Sequence, residues 1–261
     1  MHIKKFSFNN YGESVEFYNQ NGFVIFSDLV PKDILNDIIN QIESMIFHQY
    51  NTVFKSKRNP NKSIDEVLLK LSNKNDKYRE RLYKIIQELP SLSQLGCYNR
   101  FYKLARDLDI EIPTLRSSQI RSDIPNDDRF LIPPHQEIKG IRSHNTLSFI
   151  TAINKITKNM GAIQIAPGSF KLGPIIPTID SNSDYQYVDK KYYEKFPLVQ
   201  IPLDIGETLM FNMFTIHGSM PNKSKTKIRW SHILRIEDAT KMPYLELDDS
   251  YNKYNLKEAK Y

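Results

Sequence analysis

The chain has 261 residues, 40% of them hydrophobic, with fifteen Tyr and fourteen Phe, enough apolar material to bury a core in one large domain or two small ones. A single cysteine, Cys97, excludes an intramolecular disulfide and suits a reducing compartment. The net charge of +6 is compatible with nucleic acid or an anionic small molecule, but the lysines are scattered, and the runs "KSKRNPNK" (55–62) and "KSKTKIR" (223–229) lack the aromatic interleaving of a nucleic-acid groove.

The start, "MHIKKFSFNNYGESVEFYNQ", has no apolar segment of the signal-peptide kind, and nowhere do eighteen apolar residues run together. A cytoplasmic protein without membrane spans is expected. After "GFVIFSDLV" comes Pro31, then Ile34, Leu35, Ile38, Ile39, Ile42, Met45 and Ile46, whose spacing predicts one long amphipathic helix. "IDEVLLKLS" (64–72), "DKYRERLYKIIQEL" (76–89) ended by Pro90, and "RFYKLARDL" (100–108) are the next predicted helices.

From about residue 113 the texture turns to β. "SSQIRSD" (117–123), "NTLSFITAI" (145–153), "AIQIAP" (162–167), "LVQIPL" (198–203), "TLMFNMFTI" (207–215) and "IRWSHILRIE" (228–237) read as strands, with Gly and Pro between them. Many short strands without intervening helices predict a sandwich or barrel, the jelly roll among those forms. Strands 207–217 and 227–237 are expected to pair as a hairpin, and 174–197 reads as a loop that could cover a site.

Among the six histidines, His2 lies near the start, His48 suits the C-terminal end of the long helix, and His232 alternates with Ser231 as a core residue would. His135 and Glu137, in "LIPPHQEIKG", are two apart. On a strand such residues share a face at a spacing of about 7 Å and can converge on one cation. His217, in "FTIHGSMPN", is the best-placed third donor, and two His with one carboxylate form the facial triad of non-haem iron oxygenases. Arg229 follows His217 by twelve residues and could reach the same pocket to clamp a carboxylate, as binding of a 2-oxo diacid requires.

The stretches "HQE", "MGAIQIAPGSFKLGP", "GETLMFNMFTIHGSMPNKS" and "IRW", with the early "FYNQNGFVIFSDLVP", resemble the phytanoyl-CoA dioxygenase family of Fe(II)- and 2-oxoglutarate-dependent oxygenases over roughly residues 15–237. The resemblance implies one oxygenase domain over 1–261: a mainly helical N-terminal layer (1–112), a double-stranded β-helix (jelly-roll, cupin-like) core (113–240) and a tail (241–261). It implies Fe(II), 2-oxoglutarate and O2 as cofactor and cosubstrates. His135, Glu137 and His217 would be the catalytic iron ligands, and Arg229 with Ser219 would hold the 2-oxoglutarate C5 carboxylate. Gln119 and Arg121 would line the cosubstrate or substrate pocket. Phe170 stands where the family's "P-G-S-H-K" turn has His.

One further departure bears on activity. The family pattern is His-x-Asp, and this chain has Glu137, one methylene longer. The expected function is hydroxylation of a C–H bond in a small polar or anionic metabolite (a sugar derivative, an acyl thioester or an amino acid), a hint drawn from Arg121, Arg129, Lys139 and Arg142 around the His-x-Glu. The alternative is a catalytically impaired metal- or ligand-binding protein on the same fold.

Overall fold

The computed structural model of the protein describes residues 3–57, 61–138, 142–179 and 185–242. A first helix, α1 (Tyr11–Asn21), ends at Gly22, whose φ of 76° is the left-handed cap that glycine adopts without strain. The chain then enters β1 (Phe23–Phe26) and α2 (Lys32–Phe54), where Leu35, Ile38, Ile42 and Ile46 form the expected buried stripe. A capping box between Ser63 and Glu66 starts α3 (Ile64–Lys74). Three shorter helices complete the layer: α4 (Asp76–Ile86), α5 (Pro90–Gly96) and α6 (Asn99–Asp107). The helix predicted over 76–89 therefore stops at Ile86. Pro90 does not merely end it but opens α5, where its missing N–H costs nothing.

The strands are β2 (Pro113–Asp123), β3 (Thr146–Ala152), β4 (Gln164–Ile165), β5 (Thr178–Ile179), β6 (Gln186–Tyr187), β7 (Val199–Gln200), β8 (Thr208–Asn212), β9 (His217–Gly218) and β10 (Arg229–Asp238). They form antiparallel sheets ordered β1-β8-β3-β10-β2 and β7-β4-β9, with β5 and β6 as a separate pair. The expected hairpin between 207–217 and 227–237 does not form. β3 lies between β8 and β10, pairing with both. The connection explains this. The Asn222 amide donates to the carbonyls of Asp123 and Lys227, and the Asn126 N–H donates to Asn222, so the chain is handed to the end of β2 instead of folding straight back.

Alternation along these strands separates two interiors. Val24, Phe26, Leu147, Phe149, Met210, Trp230, Leu234 and Ile236 pack against the helices. Phe23, Ile25, Ile150, Ala152, Leu209 and Phe211 face the other way, onto Ile156, Ile165, Ile201 and Leu203 around the smaller sheet. The five-stranded sheet is thus covered on both faces, which is why β1 and β3 are buried at every position. Among the described residues no helix is long and apolar enough to cross a membrane. Lys139, His2 and residues 243–261 of the expected tail lie outside the described residues.

Candidate metal centre and cosubstrate pocket

The polar members of the second face of β10 come one turn of the pleat apart: Arg229, Ser231 and Arg235, with Ile233 between them, all line one pocket. Its lining is aliphatic at Ile150, Ile163, Ile201 and Leu203 and polar at His135, Glu137, His217 and Ser219, with Gly218 beside them.

His217 sits in β9, paired with Ile165 of β4 on one side. On the other it exchanges two backbone hydrogen bonds with His135, at 2.8 and 3.0 Å. His135 is not in a regular strand, the setting in which it and Glu137 would share a face. It forms a single bridge, and Glu137 already belongs to a turn. Pro133 and Pro134 have no N–H to extend a ladder, and other bonds fix the segment instead. The Glu137 N–H donates to Met213, and the Gln136 side chain donates to Gly173 and Phe214 while accepting from Ile175. The Val188 N–H donates to Pro134, which ties the chain at Val188 to the His-x-Glu segment. Gly218 lets the two chains meet: a Cβ there would lie 3.0 Å from the Pro134 nitrogen.

Both imidazoles are oriented through Nδ1, which contacts the Pro133 carbonyl in His135 (2.8 Å) and the Thr215 carbonyl in His217 (2.9 Å). A carbonyl only accepts, so Nδ1 carries the proton and Nε2 is left as the donor atom of a neutral ring. One donor atom each from His135, Glu137 and His217 falls within 4.8 Å of the others. His217 Nε2 lies 3.3 Å from Glu137 Oε1. With Nδ1 protonated, two lone-pair atoms face each other across that gap, and a cation between them resolves the conflict. Two imidazoles and a carboxylate with open space beside them suit divalent iron.

Burial, reinforced by the neighbouring His217, pushes His135 down to about 4, which keeps its ring neutral. Burial would raise the Glu137 carboxyl, but the charge of Arg235 and its two hydrogen bonds outweigh it and hold it well below the usual carboxylate range.

Arg229 is buried and spends Nε (3.1 Å) and Nη2 (2.8 Å) on one oxygen of Asp123. Its Nη1 is buried without a partner. An orphaned guanidinium nitrogen in a pocket is the feature a carboxylate would satisfy. Ser219 and Arg121 line the same pocket, Arg121 held by Asp123 and by the Phe130 carbonyl. Gln119 is exposed and is not part of the lining. His232 points the other way, fully buried beside Phe101 with Nε2 on Ser118.

Sequence reasoning missed Arg235 and Asp123. Arg235 grips Glu137 through Nε–Oε2 (2.8 Å) and Nη2–Oε1 (2.7 Å). Its signal was available, since Arg235 is an even number of residues from Arg229 on one strand. The hint of an anionic substrate fares differently: Arg121 pairs with Asp123, Arg129 with Asp76 and Asp127, and Arg142 with Glu237. Those three charges are met internally, and the fourth residue behind that hint, Lys139, lies outside the described residues.

A buried two-histidine, one-carboxylate cluster beside an open guanidinium, carried between antiparallel sheets, is a metal-enzyme architecture. The chain belongs to the phytanoyl-CoA dioxygenase (PhyH) family, whose model matches residues 18–230. No curated protein matches it. Among solved structures it is similar to the epimerase SnoN in complex with Fe3+, alpha ketoglutarate and nogalamycin RO (TM-score 0.60, 14% identity, 87% of this chain and 83% of that one). It is also similar to the non-heme alpha ketoglutarate dependent carbocyclase SnoK from nogalamycin biosynthesis (0.59, 18%, 90% and 87%). AviO1 from Streptomyces viridochromogenes Tue57 matches at 0.54 with 13% identity, over 93% of this chain and 99% of that one. At these identities the likeness is one of fold.

Proposed function

We propose that the protein is a non-haem Fe(II)- and 2-oxoglutarate-dependent dioxygenase that oxidises a C–H bond of a small molecule, on a double-stranded β-helix core. The observation that carries this reading is the unpaired, buried Nη1 of Arg229 in the pocket that also holds His135, Glu137 and His217.

In this reading the Nε2 atoms of His135 and His217 and the carboxylate of Glu137 hold iron. When bound with its cosubstrates, the iron centre supplies an oxidant: 2-oxoglutarate, O2 and R–H become succinate, CO2 and R–OH. The residues of the chain do the remaining work. Arg229 binds the C5 carboxylate of 2-oxoglutarate, with Ser219 beside it, and Asp123 holds the guanidinium in place by the edge the ligand does not use. Ile150, Ile163, Ile201 and Leu203 exclude water around the methylenes. Pro133 and Thr215 fix the imidazole tautomers through Nδ1. Arg121, anchored by Asp123 and the Phe130 carbonyl, shapes the pocket wall toward substrate. Hydroxylation is the simplest outcome of such chemistry. SnoN, an epimerase, and SnoK, a carbocyclase, mark other outcomes on the same fold.

The test is metal binding followed by turnover. Calorimetry should give one Fe(II) or Co(II) per chain, lost in His135→Ala, Glu137→Ala and His217→Ala, and the iron-loaded enzyme should release succinate from 2-oxoglutarate. The ion pair between Glu137 and Arg235 favours a second reading, a binding protein whose carboxylate is already occupied. Metal and 2-oxoglutarate binding with no succinate under any condition would support that one instead.

A further inference from the structure

A glutamate in the third ligand position raises a geometric problem. Compared with aspartate it adds one rotatable bond and moves the carboxylate by about 1.5 Å. Nothing in the backbone of the 135–137 segment removes that freedom. The structure removes it from across the sheet. Arg235, in the interior of β10 between Ser148 of β3 and Ser117 of β2, presents a planar fork to both Glu137 oxygens at 2.8 and 2.7 Å. A further contact, Nη1 to Ser117 Oγ at 3.4 Å, steadies the guanidinium.

We propose that Arg235 is the positioning residue that makes Glu137 a usable metal ligand, a role that rests on the iron reading above. The fork occupies one lone pair on each oxygen. An ionised carboxylate offers about four such sites, so each oxygen keeps one for a cation. Oε1, the oxygen 3.3 Å from His217 Nε2, is held facing the histidine pair. Arg235 thereby fixes the plane of the carboxylate and the direction of its free lone pairs. It acts on the metal only through Glu137.

Two effects of Arg235 on a bound cation oppose each other. Its positive charge repels the metal, and its fork orients the ligand. Arg235→Lys separates them, because lysine keeps the charge as a flexible point and loses the planar, two-bond grip.

The experiment is Co(II) titration of the full chain, read by calorimetry and by the visible ligand-field spectrum, with melting temperature as a check on folding. The expected result is that Arg235→Lys weakens Co(II) binding by about tenfold or more and alters the ligand-field bands, as loss of a group that orients a ligand does. In a Glu137→Asp background, where the carboxylate withdraws from the fork, the same Arg→Lys change should have less than about a twofold effect. Wild-type affinity and spectrum in Arg235→Lys would overturn the inference, as would equal losses in both backgrounds. Tighter binding in Arg235→Lys would mean that the ion pair competes with the metal, and would overturn it too. A wild-type chain that takes up no Co(II) contradicts the iron reading itself, so the two failures are distinguishable.

Discussion

Asp123 is the residue on which the polar wall of the pocket depends. It accepts from Arg121 at 2.8 Å and from Arg229 at 2.8 Å, and among the described residues no other carboxylate forms an ion pair with either cation. Removing it leaves the buried guanidinium of Arg229 uncompensated. Loss of one partner from such a pair costs about 3 kcal/mol or more, or roughly 6–12 °C in melting temperature for a domain of this size. Differential scanning calorimetry of Asp123→Ala should show that loss, and Arg121→Ala, which leaves the Asp123–Arg229 pair intact, should show less. At this scale the sequence was informative where spacing alone defines chemistry. His135, Glu137, His217 and Arg229 were legible, and the pocket brings all four together. Asp123 was not legible, because its tie to Arg229 crosses 106 positions of the chain.

At the scale of elements, β10 carries two functions on its two faces: Trp230, Leu234 and Ile236 bind it to the helices, while Arg229, Ser231 and Arg235 line the pocket. Period-two alternation made that division readable from "IRWSHILRIE". The pairing order was not, because strand neighbours are set by long-range contacts. Asn222 directs the chain to β2, and β3 takes the place beside β8 that the hairpin expectation gave to β10. Strand spacing brings His135 and Glu137 into consideration together, but the segment is an isolated bridge followed by a turn. The bridge to His217, the Glu137 N–H bond to Met213 and the Gln136 side chain hold it, rather than an extended ladder. Gly218 is the point of contact, and Gly218→Ala would drive a Cβ to within 3.0–3.2 Å of the Pro133–Pro134 backbone. That backbone has to shift, carrying His135 with it. Co(II) affinity should fall on the order of tenfold, with a melting temperature close to wild type. Unchanged affinity would show that the segment can yield without moving the ligand.

For the whole molecule, the helical layer and the β core both followed from composition shifts along the chain. α5 escaped notice because seven residues carry too little periodicity. Where the two layers meet, His232 gives the fold an acid limit. Burial pushes its ring down to about 3. An unfolded chain would take up that proton near the ordinary value of 6.5. Between those values the unfolded state binds the extra proton and the folded state does not, so stability is complete above 6.5 and falls as pH drops through the window. At pH 4 the contribution lost is on the order of 3 kcal/mol. Melting curves from pH 7 to pH 4 should fall less steeply for His232→Gln than for wild type, and parallel slopes would rule His232 out as the cause.

The central claim is that one pocket joins a metal triad to a carboxylate clamp. The most direct measurement is an anaerobic titration with Fe(II) and 2-oxoglutarate, followed by the weak visible charge-transfer absorption of a chelated 2-oxo acid on ferrous iron. The account predicts that the band appears in wild type, disappears in His217→Ala, and in Arg229→Ala requires at least about tenfold more 2-oxoglutarate, the loss expected for a charge-assisted pair. No band with iron bound, or a band indifferent to Arg229, would contradict it.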